Sequence, residues 1–137
     1  MKSIMIILAL VVTTITANAQ TTYVSSAQRQ TCYWEASSQK FSVCGELENF
    51  ECLFTLNADE TMFVHTTPTL KSSYYVKSKS YNAEADVNTY DVISDVGNKY
   101  QFIFGKTAPN FVILSTGHAD GKDDYIMKYP IKRKWND

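Results

Sequence analysis

Cys52 and His65 are the two side chains whose types come closest to a catalytic pair, because a thiolate beside an imidazole is a nucleophile. The turn at Asn57–Glu60 decides whether they meet. If it is symmetric about Ala58-Asp59, Cys52 falls opposite His65. A three-residue loop at Ala58–Glu60 instead sets Cys52 opposite Thr66, and matches Phe54 with Val64 and Leu56 with Met62 more cleanly. Neither register supplies an oxyanion donor such as a helix amino terminus. The reading is therefore a buried free Cys52, a partly exposed His65 and no assembled catalytic residues. His118 is expected to face Asp123 across the Asp120-Gly121 turn, with Asp120 and Asp124 nearby. A metal centre needs three or four converging ligands, whereas acidic residues around a tight turn serve turn chemistry and solubility. No metal and no cofactor is expected. No Ser/His/Asp order, glycine-rich phosphate loop or calcium-loop spacing is present.

The other cysteines read as a staple. A turn centred on Ser38 places Cys32 directly opposite Cys44, Trp34 opposite Ser42 and Glu35 opposite Phe41. Facing Cα atoms in an antiparallel ladder lie about 4.5–5.5 Å apart, within disulfide reach. The competing bridge, Cys44–Cys52, would clamp the GELENFE loop, and spacing alone does not decide between them. A redox-active dithiol would call for a Cys-x-x-Cys motif, which the chain lacks.

Recognition chemistry is spread more thinly. Trp34 lies beside the expected staple, and in a strand one of Tyr74 and Tyr75 points inward and the other outward. Trp135 sits beside the one basic cluster, Lys128, Lys132, Arg133 and Lys134, which reads as the solvated face of an edge or closing strand. Trp34, Tyr74, Tyr75, His118, Asp123 and Trp135 are thus the candidate binding residues. No nucleic acid is expected as a partner, since the net charge is −1.

Strands must position all of these. Runs of four to eight residues rich in Tyr, Phe, Val, Thr and Ile alternate with Asn, Asp, Gly, Ser and Pro clusters, with no sustained period of 3.6. The pattern predicts an all-β antiparallel meander, with strands near Gln30–Ala36, Lys40–Cys44, Glu51–Asn57, Thr61–Thr66, Ser72–Lys79, Val87–Ser94, Lys99–Gly105, Asn110–Thr116 and Asp123–Lys132. Eight or nine such strands close into an up-and-down barrel or fold over as a β-sandwich. An Asp-Gly type I′ turn sets Thr116 opposite Tyr125, Leu114 opposite Met127 and Val112 opposite Tyr129; a three-residue loop at Val96–Asn98 pairs Val92 with Phe102 and Tyr90 with Phe104. The inward set is then Phe54, Leu56, Tyr90, Val92, Tyr100, Phe102, Phe104, Val112, Leu114, Tyr125, Met127 and Tyr129, bulky enough to fill a small barrel.

The chain has 137 residues, 45% hydrophobic and 20% charged, which excludes a disordered tail. Lys2, the apolar run Ile4 to Val12 and Ala17-Asn18-Ala19 read as a signal peptide, residues 1–19, cleaved before Gln20. The apolar run is too short to span a bilayer, and nothing later approaches spanning length, so no transmembrane segment is expected. Residues 20–29 are polar and read as a loosely held amino-terminal segment; residues 30–137 read as one domain. The protein is expected to be secreted or periplasmic.

At the level of strand pattern the mature chain resembles a short calycin-type, lipocalin-like barrel. The resemblance covers most of the mature chain and is architectural; it implies a small apolar ligand in the barrel. The residues themselves favour a non-catalytic exported domain that binds a small ligand, a glycan or a secreted protein at the barrel mouth and loops. The alternatives are an inhibitor of a secreted hydrolase and a small cysteine- or metal-dependent hydrolase.

Overall fold

A computed structural model describes residues 20–116 and 125–137. The expected signal peptide and its cleavage site, together with His118 and Asp123, lie outside the described residues. Among the described residues nine strands follow one another: β1 Thr22–Glu35, β2 Lys40–Cys44, β3 Glu48–Leu56, β4 Met62–Thr66, β5 Lys71–Asn82, β6 Val87–Ser94, β7 Lys99–Gly105, β8 Asn110–Thr116 and β9 Tyr125–Asn136. All pairings are antiparallel, in the order β2-β1-β3-β4-β5-β6-β7-β8-β9, and β1 also pairs with β9. That last pairing closes eight strands into a barrel and leaves β2 outside the ring. A closed barrel has no free edge, and of the two architectures open to the sequence it is the one adopted.

The first strand is longer than the sequence suggests. The polar segment expected to lie loosely before Gln30 supplies the start of β1 from Thr22 and is paired on both edges, Thr22 with Leu56 of β3 and with Asn136 of β9. Its polarity misled because only Val24 and Ser26 turn inward there, and Ser26 Oγ donates to Pro130 O at 2.6 Å. Beyond Ser26 the register shifts on both edges, so that Gln28 meets Asn49 and Gln30 meets Lys128. This bulge re-aims the side chains that follow. β9 also pairs with Gln30–Tyr33, opposite the edge where β2 pairs with Cys32–Glu35. The β1–β2 hairpin therefore extends the wall beyond one end of the barrel, which we call the mouth.

The core is a stack of rings. Phe54 on β3 contacts Phe102 on β7, four strands away around the ring, at 6.3 Å between centroids. Phe63 on β4 contacts Phe111 on β8, again four strands away, at 6.0 Å. These contacts cross the barrel axis, and Phe54 also stacks on Phe111 at 3.9 Å. At this level the axis is occupied by side chains. The end opposite the mouth is closed by Tyr90, whose hydroxyl donates to Glu60 Oε1 at 2.9 Å while Lys79 Nζ bonds Glu60 Oε2 at 2.8 Å. Gly105 lies so close to Asp86 that a Cβ there would stand 2.0 Å from its carbonyl oxygen. Only glycine lets the β5–β6 turn cross β7 at that point.

Several registers differ from the expected ones. β8 pairs with β9 one residue out: Phe111 faces Tyr129 and Ile113 faces Met127, so Phe111 and Ile113 are buried while Val112 and Leu114 face outward. The run Phe111-Val112-Ile113-Leu114 is apolar on both faces, so alternation cannot choose between them; the larger Phe111 takes the interior, stacking on Phe54. β6 and β7 pair Tyr90 with Phe102 and Val92 with Tyr100, a slip of two residues that keeps the same side chains inside. The cause is the turn's position, not its length: Ser94 N donates to Asn98 O and Asn98 N to Ser94 Oγ, so the three-residue loop is Asp95–Gly97, with Gly97 in a left-handed conformation (φ 88°), one position before the expected Val96–Asn98. In the first hairpin a bulge between Tyr33 and Trp34 sets Trp34 opposite Phe41 and Glu35 opposite Lys40.

Candidate functional site

Cys32 pairs with Cys44 across the β1–β2 hairpin, with Cα atoms 4.0 Å apart, and the two are joined in a disulfide. Cys52 is a buried free thiol. The staple closes a short loop, with a sequence separation of 12, so reduction should cost no more than about 3 kcal/mol. Non-reducing peptide mapping should recover the Cys32–Cys44 peptide with Cys52 unpaired. A Cys44–Cys52 peptide would contradict the hairpin register.

The staple holds an exposed aromatic surface at the mouth. Tyr33 and Val43 face each other across the hairpin and are 54% and 51% exposed. Trp34, 40% exposed, packs edge-on against Phe41 at 5.0 Å. Next to them Glu35 accepts from Ser37 Oγ and Ser42 Oγ, both at 2.6 Å, which ties down the tip and holds its carboxyl below the usual range.

Just inside the mouth lies a polar cluster that sequence reasoning only partly saw. Cys52 and His65 both belong to it, but in neither expected register: Cys52 is opposite Ser26, and His65 is opposite Phe54, on whose ring it stacks at 4.3 Å. The reason is the β3–β4 turn. Glu60 takes a left-handed conformation (φ 56°), and Asn57 Oδ1 accepts from Thr61 N at 2.9 Å and Met62 N at 3.0 Å, so the loop is longer than two or three residues. Arg29, turned by the β1 bulge, lies over the Phe50 ring at 3.9 Å. Tyr129 is 3% exposed and lies 5.7 Å from the His65 ring and 6.3 Å from Phe50.

The electrostatics of this cluster oppose cysteine catalysis. Burial pushes the Cys52 thiol up to about 12, with the Glu51 charge adding to it. Burial and then the Arg29 charge pull His65 down to about 4. Both groups are neutral at pH 7, so the pair does not form the thiolate–imidazolium couple a nucleophile needs. Among the described residues no group of three or more His, Cys, Asp or Glu converges as a metal site.

The remaining candidates are scattered. Tyr74 turns inward at the mouth, 5.6 Å from Tyr100 and 4.8 Å from Phe102, while Tyr75 is 47% exposed on the outer wall. Trp135 is at the opposite end, stacked on Tyr23 at 5.3 Å with Arg133 over its ring at 4.8 Å. Trp34 and Tyr74 thus share the mouth, and Tyr75 and Trp135 lie away from it. Arg29 and Phe50 were missed. Arg29 sits in a polar stretch with no sequence signal for the bulge that turns it inward; Phe50 offered one, a lone aromatic in an acidic loop.

Fold and site together define a closed eight-stranded antiparallel barrel with a stapled hairpin and a polar, ring-lined mouth. No family model, curated protein or solved structure matches the chain. Among the described residues no helix is long and apolar enough to cross a membrane.

Proposed function

We propose that the protein is an exported, non-catalytic binding domain that meets its target at the barrel mouth and adjoining hairpin, and does not enclose a large apolar molecule. The observation that carries this reading is the ring contact between Phe54 and Phe102 across the barrel axis. A small barrel filled at mid-height has no room for a lipid chain, so its calycin-like architecture does not extend to a lipocalin's ligand. Export is supported by the amino-terminal sequence pattern together with the Cys32–Cys44 bridge, since disulfides persist in oxidising compartments. The target, on this reading, is a small ligand, a glycan or a secreted protein.

Titration with an environment-sensitive apolar dye tests the reading. We expect no saturable one-to-one binding that fatty acids displace; such binding would overturn it. A second reading, inhibition of a secreted hydrolase, is favoured by the stapled hairpin with Tyr33, Trp34 and Val43 exposed at its end. A rigid aromatic projection loses little conformational entropy on entering a cleft. On that reading Trp34→Ala, which leaves the barrel core untouched, should abolish inhibition of the hydrolases in the native extracellular medium.

A further inference from the structure

We infer that the mouth of the barrel holds a small monocarboxylate, bound chiefly by Arg29, with His65 and Tyr129 beside it. The inference rests on the proposed function and names the chemistry of that mouth. Its first support is a pair of unsatisfied atoms. Arg29 Nε and His65 Nε2 are both buried and have no hydrogen-bond partner. Buried polar groups are nearly always satisfied, and two orphans on basic side chains in one cluster point to an absent acceptor. Glu48 does not meet the need. Its Oε1 lies 3.3 Å from Arg29 Nε but off the hydrogen-bond line, on a side chain 55% exposed.

The second support is the setting of the charge. The guanidinium carbon of Arg29 lies 3.9 Å from the Phe50 ring centroid, and the Tyr129 ring stands 6.3 Å from Phe50 and 5.7 Å from His65. The planar fork of N–H donors that a guanidinium presents matches a planar carboxylate, which it can bond in parallel. Burial and the Arg29 charge keep His65 neutral, so the cluster offers one cation, which Glu48 pairs from the rim at 3.3 Å and which a bound monocarboxylate would take over. The ligand must also be short. Below Tyr129 the axis is taken by Phe54, 5.1 Å from the Tyr129 ring, and by Phe102 and Phe111 behind it. An acyl chain has no path downward, which limits the ligand to a ring or a two- or three-carbon body.

The test uses the oxidised full-length mature protein titrated with acetate, benzoate, decanoate and inorganic phosphate, followed by the imidazole NMR signal of His65 and by calorimetry. We expect benzoate or acetate to bind one-to-one and saturably, moving the His65 signal, with phosphate at least about tenfold weaker. Arg29→Met should weaken carboxylate binding at least about tenfold, and Glu48→Gln, which removes the competing carboxylate at the rim, should strengthen it. If Arg29→Met fails to fold, the wild-type His65 signal and the Glu48→Gln variant still decide. Absence of saturation with both short carboxylates, phosphate binding as tightly, or unchanged affinity in folded Arg29→Met would each overturn the inference. Failure of the underlying function reads out differently: decanoate binding more tightly than benzoate and displacing the apolar dye would mean an open interior, overturning both.

Discussion

Phe54→Ala should destabilise the barrel by about 3–5 kcal/mol, the range for deleting a buried aromatic ring whose surroundings cannot collapse. Phe54 is 1% exposed and meets rings on four other strands: His65 on β4, Phe102 on β7, Phe111 on β8 and Tyr129 on β9. Those strands are locked into a closed ring by backbone hydrogen bonds, so they cannot move inward to fill the gap. Edge-on and offset aromatic contacts add to the area lost. Urea unfolding followed by tryptophan fluorescence measures the effect, with Val96→Ala as a control on a side chain 78% exposed. The control should stay within about 0.5 kcal/mol of wild type. A loss below about 1 kcal/mol at Phe54 would mean that the rings do not meet across the axis.

Acid should weaken the fold well before its carboxylates titrate. His65 is held at about 4 in the native state against an ordinary 6.5, first by burial and then by the Arg29 charge. Between those two values the unfolded chain binds a proton that the native protein refuses. Stability is therefore full above about pH 6.5, falls as pH drops toward 4, and loses nothing further from this group below that. The full shift corresponds to about 3 kcal/mol. The carboxylates that lose native interactions on protonation act in a more acid window. Asp91, bonded by Ser78 and Gln101, and Glu60, bonded by Lys79 and Tyr90, both lie below their ordinary values of 3.8 and 4.5. Among the described residues, stability measured from pH 7 to pH 5 should thus report chiefly His65, and His65→Gln should flatten the slope. A wild-type slope that survives this substitution would assign the effect elsewhere.

Where each side chain's face was fixed by chemistry, the sequence could be read. Lys40–Cys44, Val87–Ser94, Lys99–Gly105 and Asn110–Thr116 are strands with the bounds their turn residues mark. Symmetry about Ser38 placed Cys32 opposite Cys44, because a covalent bridge tolerates no slip. Legibility ended where the deciding interaction was tertiary. Phe111 and Val112 are both apolar, and only the interior rings of Phe54, Phe63, Phe102 and Phe104 choose between them. The β1 bulge that turns Arg29 inward arises from pairing with two strands remote in sequence, so nothing local announces it. The mouth cluster was accordingly seen as two isolated residues, Cys52 and His65, without the cation that gives it a character.

The pairing of β1 with β9 also governs when the molecule can exist. Thr22 bonds Asn136 through both backbone register and side chain, a separation of 114 positions. Until the final strand is available, the nascent chain is at most an open sheet with unpaired margins at β1 and β8. Contacts of such long range are slow to form, because the chain entropy of joining the ends precedes any gain from the seam. Ring and seam therefore arrive together: before β9 is in place β1 has only one partnered flank along its length, and the barrel is acquired as a unit or not at all.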